Sequence, residues 1–288
     1  MRSFLPVPSA PPALDAVAMA ELSKAMRLLE GNGPLVRLAA VAGRAAGGGV
    51  QWARRLIPGA GVPDQVLALA QEAAAVALRA ALGAATWRLD RPGRRAPPWA
   101  RTATVALTGA AGGAAGLPGT LAELPATTTL LLREIARIAA QEGEDLDTEE
   151  GRAECLAVFA LGGTSGGTSG ASDGEGGYYA ARLALAEVIG GAAGLALGDA
   201  MPRLLAAVAA RFGVPVAWKL AGQAVPAAGA TAGAALNALF MQHFRARARG
   251  HFTVRRLERR YGAEAVRAAY ARLRESYKGQ RERGSIHG

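Results

Sequence analysis

A chain of 288 residues with 33 Lys and Arg against 23 Asp and Glu carries a formal charge of +10, and 51% of it is hydrophobic. That is too apolar for a disordered chain and long enough for one large or two small packed domains. The single cysteine, Cys155, excludes an internal disulfide and a Cys-based zinc cluster, and three histidines, His243, His251 and His287, leave little for metal chemistry.

Alanine dominates the apolar residues and only 5% of the chain is aromatic. Ala is the best helix former, whereas strands want β-branched and aromatic side chains. The composition therefore predicts an all-α protein, a multi-helix domain with Gly/Ala-rich helical hairpins.

Residues 1–13 hold four prolines and no clean apolar run, which predicts a disordered N-terminus without a cleaved signal peptide and places the chain in the cytoplasm. Leu14, Val17, Ala18, Leu22, Ala25, Met26 and Leu29 recur at three- and four-residue steps, an amphipathic helix ended by Gly31-Asn32-Gly33-Pro34. A second helix is expected over 35–57, and a third from the cap Asp64 to about Trp87. The five arginines and three prolines of 88–101 read as a basic, non-helical connector. Thr102 to Ala122 then runs 21 residues without a charge, a length that could span a bilayer. Its apolar content is mostly Ala and Gly and Pro118 interrupts it, so a buried or re-entrant hairpin fits better than a spanning helix.

Thr127-Thr128-Thr129 reads as a cap region for an amphipathic helix over Leu130–Ala140. The acidic stretch Glu142 to Glu150 leads into a helix near 152–161, and 162–177 is a Gly/Ser-rich loop. Helices follow at 178–197 and 200–212, then the uncharged stretch Leu220–Phe244, then a basic helical pair over 245–277 broken at Tyr261-Gly262. The domain is expected to end near 275, with 276–288 a disordered basic tail.

Net charge is +7 over residues 1–101, −6 over 102–244 and +9 over 245–288. Two basic ends beside apolar segments suit an anionic membrane surface, while solvated helix faces would look the same. Glycines four apart leave a flat groove where a second helix backbone can approach. Gly112 with Gly116, Gly190 with Gly194 and Gly198, and Gly229 with Gly233 have this spacing. The glycine-rich loops lack G-x-x-x-x-G-K-[ST], so no nucleotide site is expected. His243 and His251 stand among arginines with no neighbouring carboxylate in sequence, Cys155 has no adjacent base, and the acidic stretch fails the calcium-loop register. No catalytic, cofactor or metal residues are expected.

Residues 117–163, 177–189 and 211–262 resemble the EcsC family of bacterial proteins. Most specific are the Leu-Pro-x-Thr-Thr-Thr step (Leu124, Pro125, Thr127, Thr128, Thr129), the Arg-x-Ile-Ala step from Arg133, and the HFTVRRLERRYG end with His251, Arg255 and Arg256. The resemblance runs from about residue 20 to 275 and implies a cytoplasmic accessory protein, since the founding member is encoded beside an ABC transporter. It implies no catalytic residues.

Three functions compete at this stage. The first is a non-enzymatic protein associated with an anionic membrane surface or a membrane protein. The second is a soluble helical enzyme or small-ligand binder with a site among Thr127, Arg133 and His251. The third, a nucleic-acid binder using Arg245–Arg260, lacks aromatic interleaving and any recognised motif, so no specific nucleic acid is expected.

Overall fold

A computed structural model describes residues 13–31, 64–84, 97–163, 177–190, 205–209 and 229–286. Among them all regular structure is helical and no strand occurs. In chain order the helices are α1 (Ala16–Glu30), α2 (Asp64–Ala84), α3 (Pro98–Ala114), α4 (Gly116–Gln141), α5 (Glu149–Gly163), α6 (Gly177–Gly190), α7 (Gly229–Tyr261) and α8 (Ala263–Ile286), with a short helical piece at 205–209.

The sequence signals for α1 hold at both ends. Asp15 accepts from the Ala18 N–H at 2.7 Å, which satisfies one of the first-turn donors, and Gly31 closes the helix. Leu22, Ala25, Met26 and Leu29 are buried on one face.

Helix α7 organises the rest. Its 33 residues extend about 50 Å at 1.5 Å each. It joins the uncharged stretch and the basic stretch into one rod, and Gly262 separates it from α8. Helices α1, α3, α4, α5 and α8 all pack on it. The paired residues fix the directions: Asp15 meets Tyr261 and Leu29 meets Arg247, so α1 runs antiparallel to α7. Val105 meets Asn237 and Thr102 meets Arg245, so α3 is antiparallel too, while Thr127 with Asn237 and Glu134 with Arg245 make α4 parallel.

Two apolar clusters flank this rod. The larger joins α2 to α5 with the middle of α7, around Leu131, Leu132, Ile135, Phe159, Phe244 and Phe252. The smaller joins α1, the end of α7 and α8, around Leu22, Met26, Leu257, Val266 and Tyr270.

Several expectations are corrected. Thr127, Thr128 and Thr129 do not cap a helix: they lie in the middle of α4, which begins eleven residues earlier at Gly116 and carries Pro125 inside it. Pro118 falls in the first turn of α4, where a missing N–H costs nothing, so the interruption lies before it, at Ala115-Gly116. Pro98 to Arg101 open α3 and are not connector. Helix α8 runs to Ile286 through residues expected to be a disordered tail. The readings at 1–12, 35–57, Gly194 and Gly198, most of the 162–177 loop and 220–228 lie outside the described residues.

Candidate functional site

The uncharged run Thr102–Ala122 folds back on itself. Gly116 takes a φ of 66°, a left-handed conformation that side-chain-bearing residues rarely adopt. Arg101 opposite Glu134 and Thr108 opposite Thr127 then align α3 and α4 as antiparallel neighbours. Of the glycines with four-residue spacing, Gly112 is buried against Glu123, and Gly116 serves the turn, with nothing near where a Cβ would stand. Gly233 packs against Gly109, which the spacing did not single out. Gly229 and Gly190 open α7 and close α6.

The inner face of α3 and α4 is polar where it meets α7. Asn237 is fully buried, and its Nδ2 lies 2.9 Å from Val105 O, 3.1 Å from Glu123 Oε2, 3.1 Å from Thr127 Oγ1 and 3.3 Å from Thr108 Oγ1. Thr127 in turn donates to Glu123 Oε2 at 2.6 Å. Asn237 Oδ1 has no hydrogen-bond partner. One amide with two hydrogens thus ties three helices together.

The outer face is different. Trp99 and Leu107 are 74% and 70% exposed, and Ala103, Ala111 and Ala114 continue the stripe along α3. On α4, Pro118, Ala122 and Ala126 are exposed at four-residue steps. The hydroxyls of Thr102 and Thr104 donate to Pro98 O and Ala100 O, each at 3.0 Å, so they spend their hydrogen on their own helix.

At the open end of the pair, Glu134 collects three guanidinium groups. Arg101 binds it through Nε at 2.6 Å and Nη2 at 3.2 Å, Arg137 through Nη1 at 3.0 Å, and Arg245 through Nε at 2.9 Å. Burial pushes the Glu134 carboxyl up, but the hydrogen bonds and charges of Arg101 and Arg245 outweigh it and hold it below the usual carboxylate range. Arg133, from the Arg-x-Ile-Ala step, is exposed on the same helix.

His251 belongs to a separate network. Glu154 is ionised and can only accept, so His251 Nε2–H donates to its Oε2 at 2.8 Å, and Nδ1 accepts from the Tyr178 hydroxyl at 2.9 Å. The ring is fully buried, which disfavours its charged form more than Glu154 supports it. Despite burial, His251 and Arg255 hold Glu154 at about 2. Along α7, His251 stands fourteen residues from Asn237, about 21 Å. Thr127 and His251 are therefore not brought together, and Arg133 is exposed on α4.

The basic stretch Arg245–Arg260 is largely satisfied within the chain. Arg255 bonds Glu144, Glu150 and Glu154; Arg256 bonds Glu142 and Glu21; Arg259 bonds Glu144 and the Glu142 carbonyl. Much of the acidic middle answers the basic C-terminal segment directly. Arg247, fully buried, donates to the carbonyls of Leu29 and Gly31 at the C-terminus of α1, and burial lowers it to about 10. Burial pushes the Cys155 thiol up. Among the described residues no group of three His, Cys, Asp or Glu comes together as around a metal ion.

Glu134, Arg101, Arg245 and Asn237 were missed by sequence reasoning. For Glu134 and Asn237 the available signal was a charge or amide standing among apolar residues, in Leu130–Ala140 and in the uncharged stretch Leu220–Phe244; Arg101 and Arg245 lie outside both. The profile of the EcsC protein family matches residues 99–257, which contain α3 to α6 and nearly all of α7. No curated protein and no solved structure matches the chain.

Proposed function

The chain belongs to the EcsC protein family, and from that premise we propose that it is a non-enzymatic accessory protein working at an anionic membrane surface, in support of an ABC transport system. It docks through the outward face of the Gly/Ala-rich α3–α4 hairpin. The link to transport comes from the family's founding member, encoded beside such a transporter.

The observation that carries the docking reading is the exposed stripe of Trp99, Ala103, Leu107 and Ala111, its last three residues within the uncharged run Thr102–Ala122. A tryptophan and a leucine more than two-thirds exposed on one helix face are costly in water and stable in the interfacial layer of a bilayer. The threonine hydroxyls beside them are already bonded to the helix and lose little on leaving water. No helix among the described residues is long and apolar enough to cross a membrane, so the contact is a shallow one, at the depth where Trp side chains collect.

Sedimentation with phosphatidylcholine vesicles containing phosphatidic acid tests the reading. The wild-type chain is expected in the pellet. Leu107→Glu, on an exposed position that folding does not need, is expected to weaken binding about tenfold or more, since burying one leucine is worth about 1.5–3 kcal/mol. Wild-type protein that stays in the supernatant with every vesicle composition at low salt overturns it.

A further inference from the structure

Helix α6 is fastened by its first two turns. The buried aliphatic side chain described on it is Leu185, while Leu183 is 60% exposed. The fastening is instead polar and aromatic. The Tyr178 N–H donates to Glu30 Oε1 of α1 at 3.1 Å, and the Tyr178 hydroxyl donates to His251 Nδ1 of α7 at 2.9 Å. The Tyr179 hydroxyl and Arg182 Nη1 both donate to Glu258 Oε1 of α7, each at 2.9 Å. The rings of Tyr178 and Tyr179 rest on Tyr270 of α8, with centroids 5.7 and 5.1 Å away. Three helices hold the N-terminal end of α6, and α5 joins them through the bond of Glu154 to His251.

We infer that the Tyr178–His251–Glu154 chain is an acid-opened clasp: a second proton on His251 releases α6 from α7 while the other helices stay packed. A neutral imidazole has one N–H, and here it goes to Glu154 Oε2 at 2.8 Å, so Nδ1 is the atom that receives the Tyr178 hydroxyl. Protonation adds a hydrogen to that same atom. The Tyr178 hydroxyl then loses its acceptor, and turning it round leaves its own hydrogen buried away from water. The new charge also arises in a fully buried ring, beside Arg182 of α6 and Arg255 of α7, with the Glu154 carboxylate of α5 facing it. Glu30 of α1 and Tyr270 of α8 flank Tyr178 itself. Burial, together with the two arginines, outweighs Glu154 and lowers His251, so the closed form resists the proton that the open form takes up. Glu154, held at about 2, stays ionised throughout. Releasing α6 admits water to the ring and carries Arg182 away from it. Helix α5, which also touches the ring, is anchored by Cys155, Leu156, Val158 and Phe159, all 0% exposed, so α6 is the side that gives.

Hydrogen exchange of the full chain between pH 7 and 5.5, with the pH dependence of the intrinsic rate divided out, reads the clasp. Amides of 179–185 are expected to exchange through an opening of their own, with protection at least about tenfold below that of Leu131, Leu132 and Ile135 in α4. That protection should fall by up to about tenfold per pH unit below 6.5. His251→Gln keeps a donor for Glu154 and an acceptor for Tyr178 without a titrating group, and should hold α6 closed with a flat profile. Tyr178→Phe breaks the chain and should give α6 at pH 7 the faster exchange that wild type shows in acid. His243→Gln removes a histidine bonded to Gly162 O and should leave the α6 profile unchanged. Exchange of 179–185 in step with α4 at every pH overturns the clasp, as does an α6 profile that falls as steeply in His251→Gln as in wild type. Flattening in His243→Gln assigns the response to the other histidine and overturns it too, so the wild-type and His243→Gln profiles decide even where His251→Gln fails to fold.

Discussion

Gly109 of α3 and Gly233 of α7 press backbone against backbone: a Cβ on either would run into the carbonyl oxygen of the other. Asn237, one turn along α7, meets Val105 and Thr108 on α3 just beyond that contact. The close approach and the buried amide belong to one crossing.

Gly109→Ala or Gly233→Ala is therefore expected to force the helices apart. Overpacking of this kind costs about 1–3 kcal/mol. Urea denaturation should show a lower midpoint with an unchanged slope, and Gly116→Ala, destabilising through backbone strain at the turn, should leave the Asn237 contacts in place.

Removing the amide tests the network next to it. Asn237→Ala removes the amide donor shared by Val105 O, Thr127 Oγ1 and Glu123 Oε2, leaving Val105 O only the Thr108 hydroxyl as a side-chain donor, and is expected to cost about 1–3 kcal/mol. Asn237→Asp should cost more, because it sets a second carboxylate beside Glu123. Thermal melts of the two variants at pH 7 check the order.

Glu154 and His243 both contribute to the acid response, beside His251 and Glu134, and the sign follows from their depressed values. Glu154 drops from 4.5 to about 2 in the folded chain, so its contribution is complete above pH 4.5 and lost as pH falls toward 2. His243 donates Nε2–H to Gly162 O at 2.9 Å, and burial with the nearby Arg247 charge lowers it from 6.5 to about 4. The unfolded chain takes up that proton first, so stability should begin to fall below pH 6.5 and continue toward 4. Denaturation midpoints across pH 7 to 4 should slope downward in wild type and less steeply in His243→Gln, where the buried His251, also lowered by burial, keeps part of the slope.

Arg247 fastens α1 to α7 by donating to the last carbonyls of α1. Arg247→Met keeps the stem and removes the donors, and hydrogen bonds from a charged group are worth about 1.5–3 kcal/mol. Hydrogen exchange at the C-terminal turn of α1 is expected to speed up well before that of α4. Uniform protection in both helices would show that the cap contributes nothing local.

The helices that could be read from the chain are those whose signals are local. The Asp15 cap, the three- and four-residue spacing of α1 and the Gly262 break between α7 and α8 each depend on neighbours a few residues away, and they stand where the sequence put them. The Thr127–Thr129 cap failed because the same hydroxyls that suit an N-terminus also serve a buried polar crossing: Thr127 meets Thr108 and Asn237, partners 19 and 110 residues away.

Composition by itself determined the all-helical class, since an alanine-rich chain poor in aromatic and β-branched residues has no material for a buried sheet. The motif residues also determined the EcsC resemblance, and the family profile bears it out over residues 99–257. The use of the charge was decided only in three dimensions. A linear count of +7, −6 and +9 cannot tell a free basic face from an internal clamp, because pairing depends on which helices touch. Folding α7 along the α4–α5 junction spends Arg255, Arg256 and Arg259 on Glu142, Glu144, Glu150 and Glu154. The same fold gathers Arg101, Arg137 and Arg245 around Glu134, from positions as much as 144 residues apart that no local pattern connects.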